Sequence, residues 1–193
     1  MVEGKFQEKH NKNSMMNNLK TELEKYREWA LKQSWSQSEA NNEPVVIREA
    51  PDDSEIKLLT KKFGKLPDSY LETLQQFGLS EFTYDIYKTK MLSPAAIIEL
   101  YEVVQDEMDF ADDLREEILE EDGLDFSKYI PVMAGDGQDG RWALLNMDKK
   151  SKGEILYWDT DQAGYVKDIF DNLNAFISAS IARAMQDNPL RLT

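Results

Sequence analysis

The stretch GDGQDG, residues 135–140, places two aspartates and three glycines within six positions. Asp136 and Asp139 carry carboxylates of the kind that hard divalent cations bind, and glycine-rich loops can cradle phosphate groups. A structural explanation also exists, because glycine tolerates positive φ and aspartate hydrogen-bonds its own backbone in turns. The motif therefore predicts a metal site, a phosphate site or a tight connection between strands.

The metal interpretation is tested by the spacing of ligands in a calcium-binding EF-hand loop. Such a loop requires polar ligands at positions 1, 3 and 5, glycine at position 6 and a bidentate glutamate at position 12. Counting from Asp136, position 5 is Gly140 and position 12 is Met147. The pattern fails at its most important ligand, and a weak divalent-ion site at Asp136 and Asp139 is left as an alternative.

The phosphate interpretation requires a helix directly after the glycines, or a lysine before serine or threonine. The glycines are followed instead by RWALLNM, residues 141–147, which is too short for a helix and suits a strand. Two carboxylates would also repel a phosphate. The sequence therefore favours a tight turn between two strands, with or without a bulge.

The sequence offers little support for catalysis. The single histidine, His10, lies in the polar segment 1–13, which we expect to be disordered, and cysteine is absent. Neither a Ser–His nor a Cys–His pair can then form within the folded region. Thirteen acidic residues stand between Glu99 and Asp125, but abundance does not establish the paired geometry of a glycosidase. We expect a non-enzymatic protein without a metal or cofactor.

The acidic charge is concentrated in one third of the chain. The formal net charge is −14, and residues 93–148 contain sixteen acids against three bases. Residues 1–92 contain fifteen acids and fourteen bases, and residues 149–193 contain six of each. An acidic face repels nucleic acid and accelerates encounter with a basic protein. The alternative is a solvated helix whose acids only increase solubility.

Size and hydropathy predict a single soluble domain. A chain of 193 residues can bury a core of its own. The N-terminus lacks the apolar segment of a secretory signal, and no window reaches the 18 apolar residues of a membrane span. With no cysteine for disulfides, the expected location is the cytoplasm, without membrane contact.

Apolar periodicity predicts the elements that hold these residues. Leu19, Leu23, Tyr26 and Ala30 predict an amphipathic helix, followed by a polar linker over residues 36–44 and fastened by Trp29 and Trp35. Two short helices follow, ending at Gly64 and Gly78, then a strand in FTYDIYKT and a helix capped by Ser93. The acidic run after it is expected to continue this helix or to form a second one, and Gly123 ends it. Four strands and a C-terminal helix complete the pattern.

This order predicts an α+β fold with a mainly antiparallel central sheet, flanking helices and an N-terminal helical extension. We divide the chain into an N-terminal tail and helix appendage (1–45), the domain itself (46–187) and a C-terminal tail (188–193).

Several segments, in this order, resemble the SUKH superfamily of Smi/Knr-like domains. EIKLLTKKFGKLPDSYLETLQQFG is similar to the opening helix, the LP step and the short second helix of the family. IPVMAGDGQDGRWALLNM resembles its central strand–turn–strand signature, GEILYWDTDQ its next strand and IFDNLNAFISASI its closing helix. The resemblance covers roughly residues 50–185; the acidic segment 105–125 and residues 1–45 depart from it.

The resemblance implies a protein-binding α+β domain without catalytic residues. Many bacterial members are similar to immunity proteins that neutralise polymorphic toxins, often nucleases, whereas fungal relatives resemble regulators of cell-wall synthesis. We therefore predict an immunity protein, and a regulatory or scaffold protein is the alternative.

The predicted partner-binding residues are of two kinds. Acidic side chains would supply an electrostatic face, and aromatic side chains would act as anchors, since tryptophan and tyrosine are enriched at interface hot spots. The acids are Asp106, Asp109, Asp112, Asp113, Glu116 and Glu117, and the aromatics are Trp142, Tyr157 and Trp158. At least one of Tyr157 and Trp158 should point into the core, because adjacent strand residues face opposite ways.

Overall fold

A computed structural model describes residues 19, 21–33, 43–84, 87–109, 125–135, 141–148, 154–159 and 165–186. These parts contain five α-helices and a seven-stranded antiparallel sheet, which confirms the predicted α+β fold. In chain order the elements are α1 (residues 21–30), β1 (Val45–Val46), α2 (Asp53–Phe63), α3 (Asp68–Phe77), β2 (Glu81–Tyr84), β3 (Tyr87–Met91), α4 (Pro94–Asp109), β4 (Tyr129–Gly135), β5 (Arg141–Asn146), β6 (Ile155–Asp159), β7 (Tyr165–Phe170) and α5 (Leu173–Ala184).

The sheet is a meander in which each strand pairs with its neighbours in sequence, in the order β1 to β7. Antiparallel neighbours can be joined by short connections. Two connections here are longer and contain helices: α2 and α3 lie between β1 and β2, and α4 lies between β3 and β4. The segment FTYDIYKT was expected to form one strand. It contributes instead to β2 and β3, which pair antiparallel with Tyr84 opposite Tyr87. The segment contains no glycine that would have indicated two strands in place of one.

Local capping explains where the two short helices begin and end. Asp52 is the N-cap of α2, where the sequence had suggested Asp53 or Ser54, and it accepts hydrogen bonds from the backbone N–H groups of Ser54 and Glu55. A hydrogen bond from the Ser54 hydroxyl, and then these two backbone bonds, lower the pKa of the Asp52 carboxyl. Gly78 ends α3 with a φ of 53°, and a Cβ there would overlap the carbonyl of Arg48.

Helices cover both faces of the sheet. Tyr157 of β6 stacks on Phe176 of α5 with ring centroids 5.8 Å apart. The next residue, Trp158, points to the opposite face and meets Phe126 edge-to-face at 5.1 Å, on the side where α4 packs against β4. Consecutive large side chains on β6 are therefore both buried, as expected of a strand covered on two sides.

Helix α1 packs on the domain through the predicted apolar stripe. Leu19, Leu23, Tyr26 and Ala30 are each at most 2% exposed. The Tyr26 hydroxyl donates a hydrogen bond to the carbonyl of Thr83 in β2 (2.7 Å), and the Ser178 hydroxyl of α5 donates one to Glu22 (2.6 Å). The helix thus belongs to the same core as the sheet. Trp29 stacks on Tyr26, and Trp35 lies outside the described residues.

Both edges of the sheet have features that oppose pairing with another strand. At one edge, β1 is only two residues long and follows Pro44, and the predicted domain boundary between residues 45 and 46 falls inside it. At the other edge the register of β7 shifts, because Tyr157 pairs with Asp168 but Trp158 with Val166. Lys167 is therefore an extra residue in β7. No helix in the described part of the chain is long and apolar enough to cross a membrane.

Candidate functional site

The outward side of α4 presents a line of carboxylates. Glu99, Glu102 and Asp106 are exposed and occupy positions i, i+3 and i+7, which share one side of a helix. We refer to these three residues as the acidic stripe. The inward side carries Ile97 and Val104, both fully buried. The amphipathic pattern of α4 therefore holds the acidic stripe in solvent while the helix is anchored on the sheet.

The predicted start of α4 is confirmed and fixes the orientation of this helix. The Ser93 hydroxyl accepts a hydrogen bond from the backbone N–H of Ala96 at 3.2 Å, and Pro94 is the first helical residue. Partway along the helix, the Gln105 side-chain amide donates to the carbonyls of Phe126 and Tyr129 at 3.4 and 3.3 Å. These two hydrogen bonds hold the inward side of α4 against the start of β4.

Only part of the acidic stripe is neutralised by the described residues. The Lys62 ammonium lies 3.5 Å from Glu102 and 5.2 Å from the centre of the Tyr101 ring. Glu99 and Asp106 form no ion pair with the part of the chain that the structure describes. The pKa of the Tyr101 hydroxyl is raised, first by partial burial and then by the negative charges of Glu102 and Asp125. The surroundings of α4 are therefore electrically negative.

The structure describes two of the six acids predicted to bind a partner. Asp106 is exposed on α4, and Asp109 is the last residue of that helix. Asp112, Asp113, Glu116 and Glu117 lie outside the described residues, as do Asp136 and Asp139 of the glycine-rich motif. The sequence prediction missed Glu99 and Glu102, although their spacing from Asp106 on a predicted helix was a usable signal.

The three aromatic residues predicted as anchors lie in the interior. The exposed fractions are 5% for Trp142, 6% for Tyr157 and 1% for Trp158. They occupy β5 and β6, inner strands that helices cover on both sides, and Trp142 pairs with Trp158 in register. Rings that are packed inside their own chain have little surface left for a partner. We therefore assign all three to the core and do not treat them as exposed anchors.

A half-buried carboxylate that the sequence did not indicate joins α3 to the sheet. Glu154 precedes β6, and the Ser69 hydroxyl at the start of α3 donates a hydrogen bond to its Oε2. Its other oxygen, Oε1, is buried without a hydrogen-bond partner among the described residues. Burial raises the pKa of Glu154, and the bond from Ser69 opposes that rise. A single acid before a strand gives no sequence signal of such burial.

Glu154 is not part of a recognisable catalytic group. Histidine and cysteine do not occur among the described residues, and no three acidic side chains there are placed to hold a metal ion. Tyr70 on α3 is fully buried, and burial raises the pKa of its hydroxyl, which opposes ionisation. The described chemistry is therefore that of a packed core and an acidic helical surface.

Fold and surface together define a small α+β domain: a seven-stranded meander covered by helices, with a negatively charged helix facing solvent. The model of the SMI1 / KNR4 family (SUKH-1) matches residues 50–179, about two thirds of the chain. The chain belongs to this family, as its sequence resemblance predicted. Domains of the family are generally non-enzymatic binding domains, so membership implies protein–protein interaction. A search of curated proteins found no match.

The matched region begins just before α2 and ends within α5. Helix α1 and strand β1 therefore lie outside the family match, although both are part of the folded unit described above. The acidic stripe lies inside the match, on the helix between β3 and β4.

Proposed function

We propose that this protein is a cytoplasmic immunity protein that neutralises a basic toxin domain by binding it directly, without catalysis. The observation that carries the proposal is the location of charge. Residues 93–148 account for nearly the whole imbalance, and the acidic stripe on α4 holds part of it in solvent. The face extends, in this proposal, through Asp109, Asp112, Asp113, Glu116 and Glu117.

The physical argument concerns the kind of partner that such a face selects. An enzyme that cleaves nucleic acid must present a positive cleft to the phosphate backbone. Carboxylates arranged on a rigid helix can occupy that cleft in place of phosphates. Complementary charges also raise the association rate, which is valuable when a toxin must be inactivated quickly. A nuclease domain is therefore the toxin class that fits this surface best.

Family membership also supports a second function. A regulatory or scaffold protein of the Smi/Knr type would use the same domain to bind endogenous partners, for example in cell-wall regulation. The two proposals differ in what the protein captures. Affinity purification of the tagged full-length chain from its native cells, followed by mass spectrometry, should return one basic toxin domain under the first proposal. Several endogenous proteins without a toxin among them would favour the second.

Charge reversal then tests the acidic face in the captured complex. Glu99→Lys, Glu102→Lys and Asp106→Lys together should lower the association rate about tenfold or more and flatten its dependence on salt. Reversal of Asp112, Asp113, Glu116 and Glu117 to Lys should act in the same direction.

A matched control separates local from overall charge. Glu24→Lys, Glu28→Lys and Glu49→Lys change the net charge by the same amount at exposed positions away from α4. This control should leave the association rate within about threefold of the wild-type rate. Equal effects of the control and the acidic-stripe variant would contradict a specific face on α4. Circular dichroism of each variant checks that the fold is retained.

A further inference from the structure

A cavity of about 70 Å³ lies between the sheet, α1 and α5. Part of its floor is a row of cross-strand neighbours, in which Met133 of β4 pairs with Ala143 of β5, and Ala143 with Tyr157 of β6. Since paired residues share a face of the sheet, these three side chains point to the same side. Tyr26 of α1 and Phe176 of α5 also line the space. The interior of the cavity is therefore apolar.

The volume of the cavity limits what it can hold. An apolar cavity of about 150 Å³ holds benzene. The volume here is under half as large, so it suits about half as many carbon atoms. A ring has no place between Tyr157 and Phe176 either, because these side chains stack on each other with centroids 5.8 Å apart. A small branched aliphatic group, such as isopropyl, fits the space.

Polar groups lie at the opening of the cavity. The lining residues that stay partly exposed are Phe82, Thr89, Arg141 and Ser180. Thr89 of β3 pairs with Gly135 of β4. Continuing the register of β4 and β5 by one residue places Gly135 opposite Arg141. Thr89, Gly135 and Arg141 therefore form one row across three strands, at the edge of the cavity.

Gly135 leaves a notch in this row. The strands that carry Thr89 and Arg141 are roughly 10 Å apart, which is two strand spacings. The residue between them has no side chain. A carboxylate above Gly135 would have the Thr89 hydroxyl on one side and the Arg141 guanidinium on the other. Both groups donate hydrogen bonds, and the planar guanidinium matches the two oxygens of a carboxylate.

Arg141 has enough donors to bind a ligand in addition to a neighbouring residue. Asp159 of β6 pairs with Arg141 in register, on the side away from Gly135. A guanidinium has five N–H groups, so one carboxylate partner does not use all of them. The positive charge at the opening favours an anion, whereas the interior favours hydrocarbon.

We propose that this cavity binds a short branched aliphatic carboxylate of the size of isobutyrate. Its isopropyl group would lie beside Ala143 and Ala184, and its carboxylate would lie above Gly135 within reach of Arg141. The site is on the face of the sheet opposite the acidic stripe and does not depend on the proposed function.

Titration of the isotope-labelled full-length protein with sodium isobutyrate, at constant ionic strength, tests the site directly. We expect saturable NMR shifts of the methyl groups of Met133, Ala143, Ile177 and Ile181, with a dissociation constant on the order of 1 mM. The net charge of −14 opposes general attraction of an anion, so saturable binding would report a specific site.

Isobutyramide has the same shape without the charge and is the matched ligand control. It should bind about tenfold more weakly than isobutyrate, because it forms no ion pair with Arg141. Equal affinity for the two ligands would overturn the proposal. So would isobutyrate shifts that do not saturate or that centre elsewhere in the protein.

Removing the charge at the opening provides a second test. Arg141→Gln should reduce isobutyrate affinity about tenfold and abolish the preference over isobutyramide. Arg48→Gln removes the same charge at an exposed residue that does not line the cavity, and it should bind isobutyrate as the wild type does. Wild-type affinity in Arg141→Gln would contradict the proposed role of the guanidinium.

Filling the cavity provides a third test. Ala184→Leu adds the carbons of an isopropyl group to the wall, so it should reduce the affinity for both ligands about tenfold or more. The melting temperature should be unchanged or higher, because the new side chain enters existing space. Ala182→Leu makes the same change at an exposed position of α5 and should bind as the wild type does. Binding that survives Ala184→Leu would place the aliphatic group elsewhere and overturn the proposal.

Discussion

At the scale of single residues, Glu154 has an environment that opposes its ordinary charge state. Burial raises its pKa, and one carboxylate oxygen has no described partner. A raised pKa in the folded state means that folding favours the protonated acid. The resulting stability is fully present below the unfolded-state pKa, about 4.3, and is lost as pH rises through the folded-state pKa.

Glu154→Gln should therefore stabilise the protein at pH 7.5, by about 0.5 kcal/mol after allowing for partial exposure to solvent. Glutamine keeps an oxygen that accepts the bond from Ser69 but carries no charge. The advantage should shrink as pH falls through the folded-state pKa, because the wild-type acid then becomes neutral too. Urea unfolding at several pH values measures this difference.

Ser69 supplies the control for this prediction. Its hydroxyl favours the charged form of Glu154, so Ser69→Ala should widen the advantage of glutamine at neutral pH. A glutamine variant that is less stable than the wild type at pH 7.5 would show that the charged carboxylate is well satisfied in the fold.

Residue-level exposure was the least predictable feature of the site. Strand alternation correctly required one of Tyr157 and Trp158 to face the core, and it left the other undecided. Trp158 is buried because Phe126 and α4 cover the second face of the sheet. The residues that pack on this face are distant in sequence from Trp158, so the local pattern of the strand does not indicate that the face is buried.

At the scale of elements, α1 was predicted as an appendage, and in the structure it packs into the same core as the sheet. Its stripe at residues 19, 23, 26 and 30 was visible in the sequence, because apolar spacing of 4, 3 and 4 marks one side of a helix. The surface that receives it was not visible. Thr83 and Ser178, which fasten the helix, lie 57 and 156 residues from their respective partners on α1.

Leu23→Ala tests whether α1 unfolds together with the domain. Leu23 is 2% exposed, and truncating a buried leucine costs about 2–5 kcal/mol. At about 2–4 °C per kcal/mol for a chain of this size, calorimetry should show a melting temperature lower by roughly 4–20 °C. Glu24→Ala, at the exposed neighbouring position, should change it little. An unchanged transition for Leu23→Ala would mean that α1 detaches before the core unfolds.

Helix ends were predictable to within a residue where chemistry is local. Ser93 begins a helix, and Gly64 and Gly78 end helices, as their residue types require, whereas the cap of α2 is Asp52. Asp52, Asp53 and Ser54 are adjacent and can all cap a helix, so the local sequence did not single out Asp52. Residues 110–124, which include the predicted helix end at Gly123, lie outside the described residues.

At the scale of the whole molecule, unbalanced charge opposes folding while it favours binding. A net charge of −14 that is concentrated in residues 93–148 brings like charges together in the compact state. The described ion pairs, such as Arg27 with Glu43 at 2.7 Å, are largely exposed and contribute about 0–1 kcal/mol each. We therefore expect repulsion among the acidic residues to affect stability more than these ion pairs do, although salt weakens both.

Raising sodium chloride from about 20 to 300 mM should accordingly increase the melting temperature, because the screening length falls from about 20 Å to about 6 Å. Charges that lie more than one helix turn apart then repel one another much less. Calorimetry of the wild type and of the Glu99→Lys, Glu102→Lys, Asp106→Lys variant measures the effect. The variant relieves repulsion within the acidic region, so its melting temperature should respond less to salt than that of the Glu24→Lys, Glu28→Lys, Glu49→Lys control. A wild-type melting temperature that falls with salt would mean that attractive pairs dominate, and the acidic region would then be largely balanced by the chain's own lysines and arginines.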